Sequence, residues 1–106
     1  MTRDGHEIRG AHGSVRIEAD ALAALVVAAA ERVEGARVRR PRRGLDLSVA
    51  DGRARVELEL AARYGAVLPE LAQAVQESVA SALRDAAGLR VDAVDVSVEE
   101  LDDGGR

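Results

Sequence analysis

The chain has no cysteine, no tryptophan, no phenylalanine and a single tyrosine, Tyr64. Without thiols it can form no disulfide, no thiolate zinc site and no cysteine nucleophile. Without aromatic platforms it is poorly equipped to hold single-stranded nucleic acid by base stacking. The core must be built from Val, Leu and Ala. Its stability then rests on closely fitted small side chains, or on further burial in an oligomer. No stretch approaches the ~20 apolar residues of a membrane span. The longest apolar run, Ala21–Ala30, is too short, and no N-terminal segment reads as a signal peptide. Lysine is also missing, so all 15 basic residues are arginine. The net charge of −4 argues against a general nucleic-acid binder. These absences fit a cytoplasmic protein.

What is present fits one small domain: 106 residues, of which 47% are hydrophobic, too apolar a composition for a disordered chain. Residues 1–13 are polar and glycine-rich and read as a flexible N-terminal arm. Residues 14–99 read as the domain, and 100–106 as an acidic disordered tail. Within the domain, Ser14–Glu18 alternates like a short strand. Leu22, Leu25, Val26, Ala29 and Val33 recur at helical spacing, with Asp20 in the first turn and Gly35 as the stop. Glu31 and Glu34 lie at the wrong end of that helix for its dipole, with Arg32 and Arg37 to offset them.

Leu45–Ala50 alternates, Asp51–Gly52 signals a type I′ hairpin, and Arg53–Arg63 alternates again. Gly65 turns the chain. Pro69 opens a long amphipathic helix that stops at Gly88. Leu89–Glu99 is a last strand whose apolar phase changes, which predicts a bulge near Asp92–Ala93. The order is β-α-β-β-α-β. The fold class expected is α+β, a four-stranded mainly antiparallel sheet with two helices on one face and the other face wet. The strand order stays open.

Chemistry is thin. Ser14, Ser48, Ser78, Ser81 and Ser97 have no base nearby in the pattern. His6 and His12 lie in the arm without partners at ligand spacing. Asp46 meets Glu57 or Glu59 across the hairpin, but paired carboxylates on a wet sheet face more often solubilise than catalyse. The reading is therefore no enzyme, no cofactor, no metal and no small-molecule substrate. The one biased stretch is Arg37–Gly44. Its arginines Arg37, Arg39, Arg40, Arg42 and Arg43 are candidate anion-binding residues for nucleic acid or an anionic membrane. A solvated loop, or one held to the acidic tail, is the simpler explanation of them.

Three segments carry a resemblance. GSVRIEADALAALVVAAAERVEGA has a glycine, a short strand, a helix and a closing Val33–Glu34–Gly35. VELELAARYG is an acidic-alternating strand ending in Tyr64–Gly65. LPELAQAVQESVASALRDAAGLRVDAVDVSV has a Pro69–Glu70 helix start, Val75–Gln76–Glu77, a Gly88–Leu89 stop and a valine-rich strand. In this order they resemble the alkaline shock protein family of bacterial envelope stress response proteins, over about Gly13 to Val98. The arginine-rich segment departs from that pattern. The resemblance implies a non-enzymatic, cytoplasmic scaffold that forms homo-oligomers and is peripheral to the membrane through a membrane-anchoring protein partner. It also draws attention to the polar side of the second helix. Glu70, Gln73, Gln76, Glu77 and Arg84 are the candidate interaction face there.

Overall fold

A computed structural model describes residues 6–10, 13–39 and 45–102. The elements in order are β1 (His6–Gly10), β2 (Gly13–Ile17), α1 (Ala19–Glu31), β3 (Ala36–Val38), β4 (Leu45–Ala50), β5 (Arg53–Arg63), α2 (Leu68–Ala87) and β6 (Arg90–Asp102). The fold is α+β, with two helices and a four-stranded sheet.

Strand β5 is the centre of that sheet. It pairs with β6 along its whole length, from Arg53 opposite Arg90 to Arg63 opposite Asp102. The other edge is shared by two strands in succession. β4 covers Arg53 to Leu58 and β3 covers Leu60 to Ala62. Both are antiparallel to β5, whereas β6 is parallel to it. A parallel neighbour needs a crossover, and α2 supplies it.

The sequence pattern explains the layers. On β5, Ala54, Val56, Leu58, Leu60 and Ala62 are buried, and Arg53, Arg55, Glu57 and Arg63 are exposed. Helix α1 contributes Leu22, Val26, Ala29 and Ala30 to the core, and α2 contributes Leu71, Val75, Val79, Leu83 and Ala87. The alanines let the helices approach closely enough for a direct bond, in which Ser78 Oγ donates to the Ala29 carbonyl at 2.7 Å. Punctuation falls where the local chemistry asks for it. Asp51 and Gly52 take φ of 54° and 74°, as a type I′ turn requires. Gly88 caps α2 in the left-handed conformation, with its N–H donating to the Arg84 carbonyl.

Several boundaries differ from the sequence reading. His6–Gly10, assigned there to a flexible arm, is a strand paired antiparallel with Gly13–Ile17. That ladder stands apart from the main sheet, so the first sequence-predicted strand does not join it. The fourth place goes to Ala36–Val38, only 3 residues long and hidden beside the arginines. Too short for a periodic signal, it shows itself only through burial of Ala36 and Val38 around an outward Arg37. β6 also runs to Asp102, into the segment read as a tail. The expected bulge is present, since Ala54 pairs with Val91 and Arg55 with Ala93, leaving Asp92 extra. A second shift leaves Glu99 extra.

The two glutamates at the end of α1 have partners that the dipole argument missed. Glu31 Oε2 accepts the backbone N–H of Val38 at 2.9 Å, satisfying a donor of β3. Glu34 accepts from Arg63 Nη2 at 3.4 Å.

Candidate interaction surfaces

The wet face of the sheet is organised by register. Asp46 on β4 lies opposite Glu57 on β5, and Glu57 lies opposite Asp95 on β6. One row therefore places three carboxylates on adjacent strands, roughly 5 Å apart in backbone spacing. The next row along β5 is Glu59 opposite Ser97. These side chains line a shallow concavity of about 230 Å³. The sequence pattern pointed to the Asp46–Glu57 pair. It could not add Asp95, because only the parallel β5–β6 register brings that residue alongside. Like charges facing across strands destabilise a sheet modestly, so the row is electrostatically costly where it stands.

At the start of the same face, Arg53 Nε donates to both carboxylate oxygens of Asp92, at 3.2 Å and 3.1 Å. This bond holds the Asp92 carboxyl below the usual carboxylate range, with the nearby Arg53, Arg55 and Arg90 charges adding to it. A carboxylate whose folded pKa is depressed stabilises the fold above its unfolded pKa. That contribution is lost as pH falls through the folded value. Replacing Asp92 with Asn should flatten the acid limb of a stability–pH profile and leave the alkaline limb unchanged. Both residues are solvent-exposed, so the difference should be small and should shrink further in 1 M salt. Urea midpoints across pH 2–7 check it.

Helix α2 carries the predicted polar face, and all five of its residues are exposed. The structure joins some of them. Gln73 Nε2 donates to Glu77 Oε2 at 3.5 Å, and Arg84 Nη2 donates to Ser81 Oγ at 3.2 Å, with Asp85 at 3.8 Å from Arg84 Nε. Glu70 lies in the first turn, where it suits the dipole. Gln76 has a packing role that sequence reasoning missed: its Nε2 donates to the Val94 carbonyl at 3.0 Å and ties α2 to β6.

Of the candidate anion-binding arginines, Arg37 is exposed on β3 and Arg39 follows it, its N–H donating to the Glu59 carbonyl at 2.9 Å. Arg40, Arg42 and Arg43 lie outside the described residues. The register sets Arg37, Ala61 and Glu100 in one row across three strands. Tyr64 is 72% exposed and Val67 58% exposed, a small apolar tip between β5 and α2.

Three of the serines weighed as nucleophiles make structural bonds. Ser78 holds α1, Ser81 accepts from Arg84, and Ser97 Oγ lies 3.5 Å from the Leu58 carbonyl. Among the described residues no group of three or more His, Asp or Glu side chains is placed to hold a metal ion. Among the same residues no helix is long and apolar enough to cross a membrane.

Known proteins resemble this chain in sequence pattern and in architecture. The model of the alkaline shock protein family, described as having a cell envelope-related function, matches residues 7–102. That span contains all three segments on which the resemblance rests. No curated protein matches. Two solved structures share the fold. The zinc form of a variant MamM CTD has a TM-score of 0.52 and 22% identity, covering 81% of this chain and 89% of its own. The copper form of MamM CTD has the same score and identity, covering 82% and 90%. At that identity the likeness is one of architecture.

Proposed function

This chain belongs to the alkaline shock protein family, and from that premise we propose that it is a non-enzymatic scaffold of the cell envelope. In this reading it self-associates in the cytoplasm and lies peripheral to the membrane, held there by a membrane-anchoring protein. The observation that carries the reading is the family match across residues 7–102. The surfaces support it. The domain exposes one sheet face and one polar helix face, on which Glu70, Gln73, Glu77 and Arg84 are the candidate partner contacts and Gln76 is exposed but bonded to the Val94 carbonyl. The bonds of Ser78 and Ser97 to main-chain carbonyls of neighbouring elements support the non-enzymatic part.

Fractionation of native cells, followed by crosslinking, tests the reading. The expected result is a membrane-pelleting pool that salt or mild detergent releases, crosslinked to a membrane-spanning protein. A protein confined to the soluble fraction, with no such partner recovered, refutes the anchored form.

The arginine segment supports a second reading, an anionic-polymer module, because Arg37 stands exposed on β3. It predicts binding to RNA, DNA or anionic vesicles that weakens steeply with salt, by roughly one unit of log–log slope per phosphate neutralised. Serine at positions 37, 39, 40, 42 and 43 should abolish that binding. Binding that survives the replacement removes this reading.

A further inference from the structure

The sheet is closed on neither side, and its two edges are not alike. β6 is 13 residues long and, among the described residues, pairs only with β5. A strand of that length with one unpaired edge presents a row of backbone donors and acceptors to any chain that can align with it. Its core-side residues Val91, Val96 and Val98 are only half-buried, although they pack on the hydrophobic core. An apolar stripe therefore continues to the rim of the sheet beside the unpaired backbone.

We propose that this edge is where a second copy of the chain adds, antiparallel, with the two-fold axis at Val96. The proposal rests on the self-association reading above and assigns it a surface. Several features of the strand make it self-complementary in this register. Val96 faces its own counterpart and Val98 faces the buried Val94, so the half-buried Val96 and Val98 gain apolar cover. On the wet face Asp95 falls opposite Ser97 in both directions, so the two Asp95 carboxylates do not meet. Moving the axis by one residue, to Asp95, sets them face to face, which like charges disfavour. Arg90 falls opposite Asp102. Asp92 falls opposite Glu100, but its charge is already engaged by Arg53 at 3.1 Å. The two bulges, at Asp92 and Glu99, flank the segment Val94–Val98 and leave its ladder regular. Pairing makes one continuous sheet through an isologous contact, which closes as a dimer. The Gln76 amide on the Val94 carbonyl competes with the partner strand for one acceptor. Gln76 thus covers part of the edge.

The absence of cysteine makes the test clean. A Val96→Cys chain should form an intermolecular disulfide under mild oxidation, since directly opposed side chains on paired strands sit at disulfide distance. A Ser48→Cys chain, with its thiol on β4 at the far edge, should not. Sedimentation supplies the second arm. Ser97→Asp should weaken the dimer about tenfold and Ser97→Lys tighten it by a similar factor, because each change acts twice against Asp95. Ser97 and Asp95 are exposed, so folding should survive, and circular dichroism checks that it does. An unmodified chain that stays monomeric at every concentration overturns the proposal together with self-association. An unmodified chain that oligomerises, while Val96→Cys fails to crosslink and the Ser97 variants sediment like the parent, overturns the edge assignment alone.

Discussion

Leu83→Ala should lower stability by about 2–5 kcal/mol, the range for truncating a fully buried leucine. Leu83 is 0% exposed on the inner face of α2 and is among the largest fully buried side chains. A domain of this size has roughly 5–15 kcal/mol in total, so one truncation removes a large fraction of it. The melting temperature should fall by about 8–40 °C, at roughly 4–8 °C per kcal/mol. The cost should lie toward the upper end for a reason specific to this core. It contains no aromatic ring, and its fully buried large side chains are leucines and valines. Around them lie Ala29, Ala30, Ala54, Ala62 and Ala87, which have no side-chain freedom with which to fill a void. A cavity that cannot relax carries both the lost transfer energy and the lost contacts. Two comparisons make the test specific. Leu83→Met, which conserves volume, should cost less than ~1.5 kcal/mol. Leu25→Ala, at a half-buried position of α1, should cost clearly less than Leu83→Ala. Urea midpoints with unchanged m-values would report these differences. A loss below about 1 kcal/mol for Leu83→Ala would show that the core collapses freely, contrary to close packing of small side chains.

The same residues show how far the sequence could be read. The stripes on both helices, the hairpin at Asp51–Gly52 and the alternation of β5 are periodic over many residues, and each is present in the structure. Periodicity reports which face is buried but not which strands are neighbours. The parallel β5–β6 pairing, and with it the Asp46–Glu57–Asp95 row, depends on a crossover whose register is set by packing. Short elements escape for a different reason. Ala36–Val38 offers 3 residues, fewer than two periods of alternation, and takes its place from the edge of β5 that β4 leaves uncovered. Side-chain-to-backbone bonds were equally hidden. Glu31 looked misplaced by its dipole and Gln76 looked free for a partner, yet each satisfies a main-chain group of another element. The candidate surfaces are legible to the same degree. Their residue types show in the pattern, while their neighbours come from tertiary register.

Gly35→Ala should cost about 1–3 kcal/mol, and Gly88→Ala less, although the sequence presents both simply as helix stops. Gly88 has φ 68° and ψ 24°, the left-handed well that asparagine also tolerates. Gly35 has φ 92°, beyond that well and in territory that side chains rarely enter. Space does not decide the difference. A Cβ on Gly88 meets nothing within 4 Å, and one on Gly35 meets Arg63 Cβ at 3.6 Å and Leu71 Cδ1 at 3.8 Å, both ordinary contacts. The penalty at each site is therefore one of backbone conformation. What holds Gly35 in place is the ladder around it. Its carbonyl accepts the Arg63 N–H at 2.7 Å, and Ala36 then pairs with Ala62. Relaxing φ would break the attachment of β3 to β5, so the strain cannot be relieved by a local shift. Asparagine separates the two positions. Gly88→Asn should be nearly neutral, within about 0.5 kcal/mol, while Gly35→Asn should cost nearly as much as Gly35→Ala. Amide exchange adds a spatial readout. In Gly35→Ala the Val38 and Arg39 amides should lose protection ahead of those on β4, because β3 detaches first. Equal penalties at the two glycines, or uniform loss of protection across the sheet, would show that Gly35 is only a helix stop. The strand that carries Arg37 would then be held by something other than this turn.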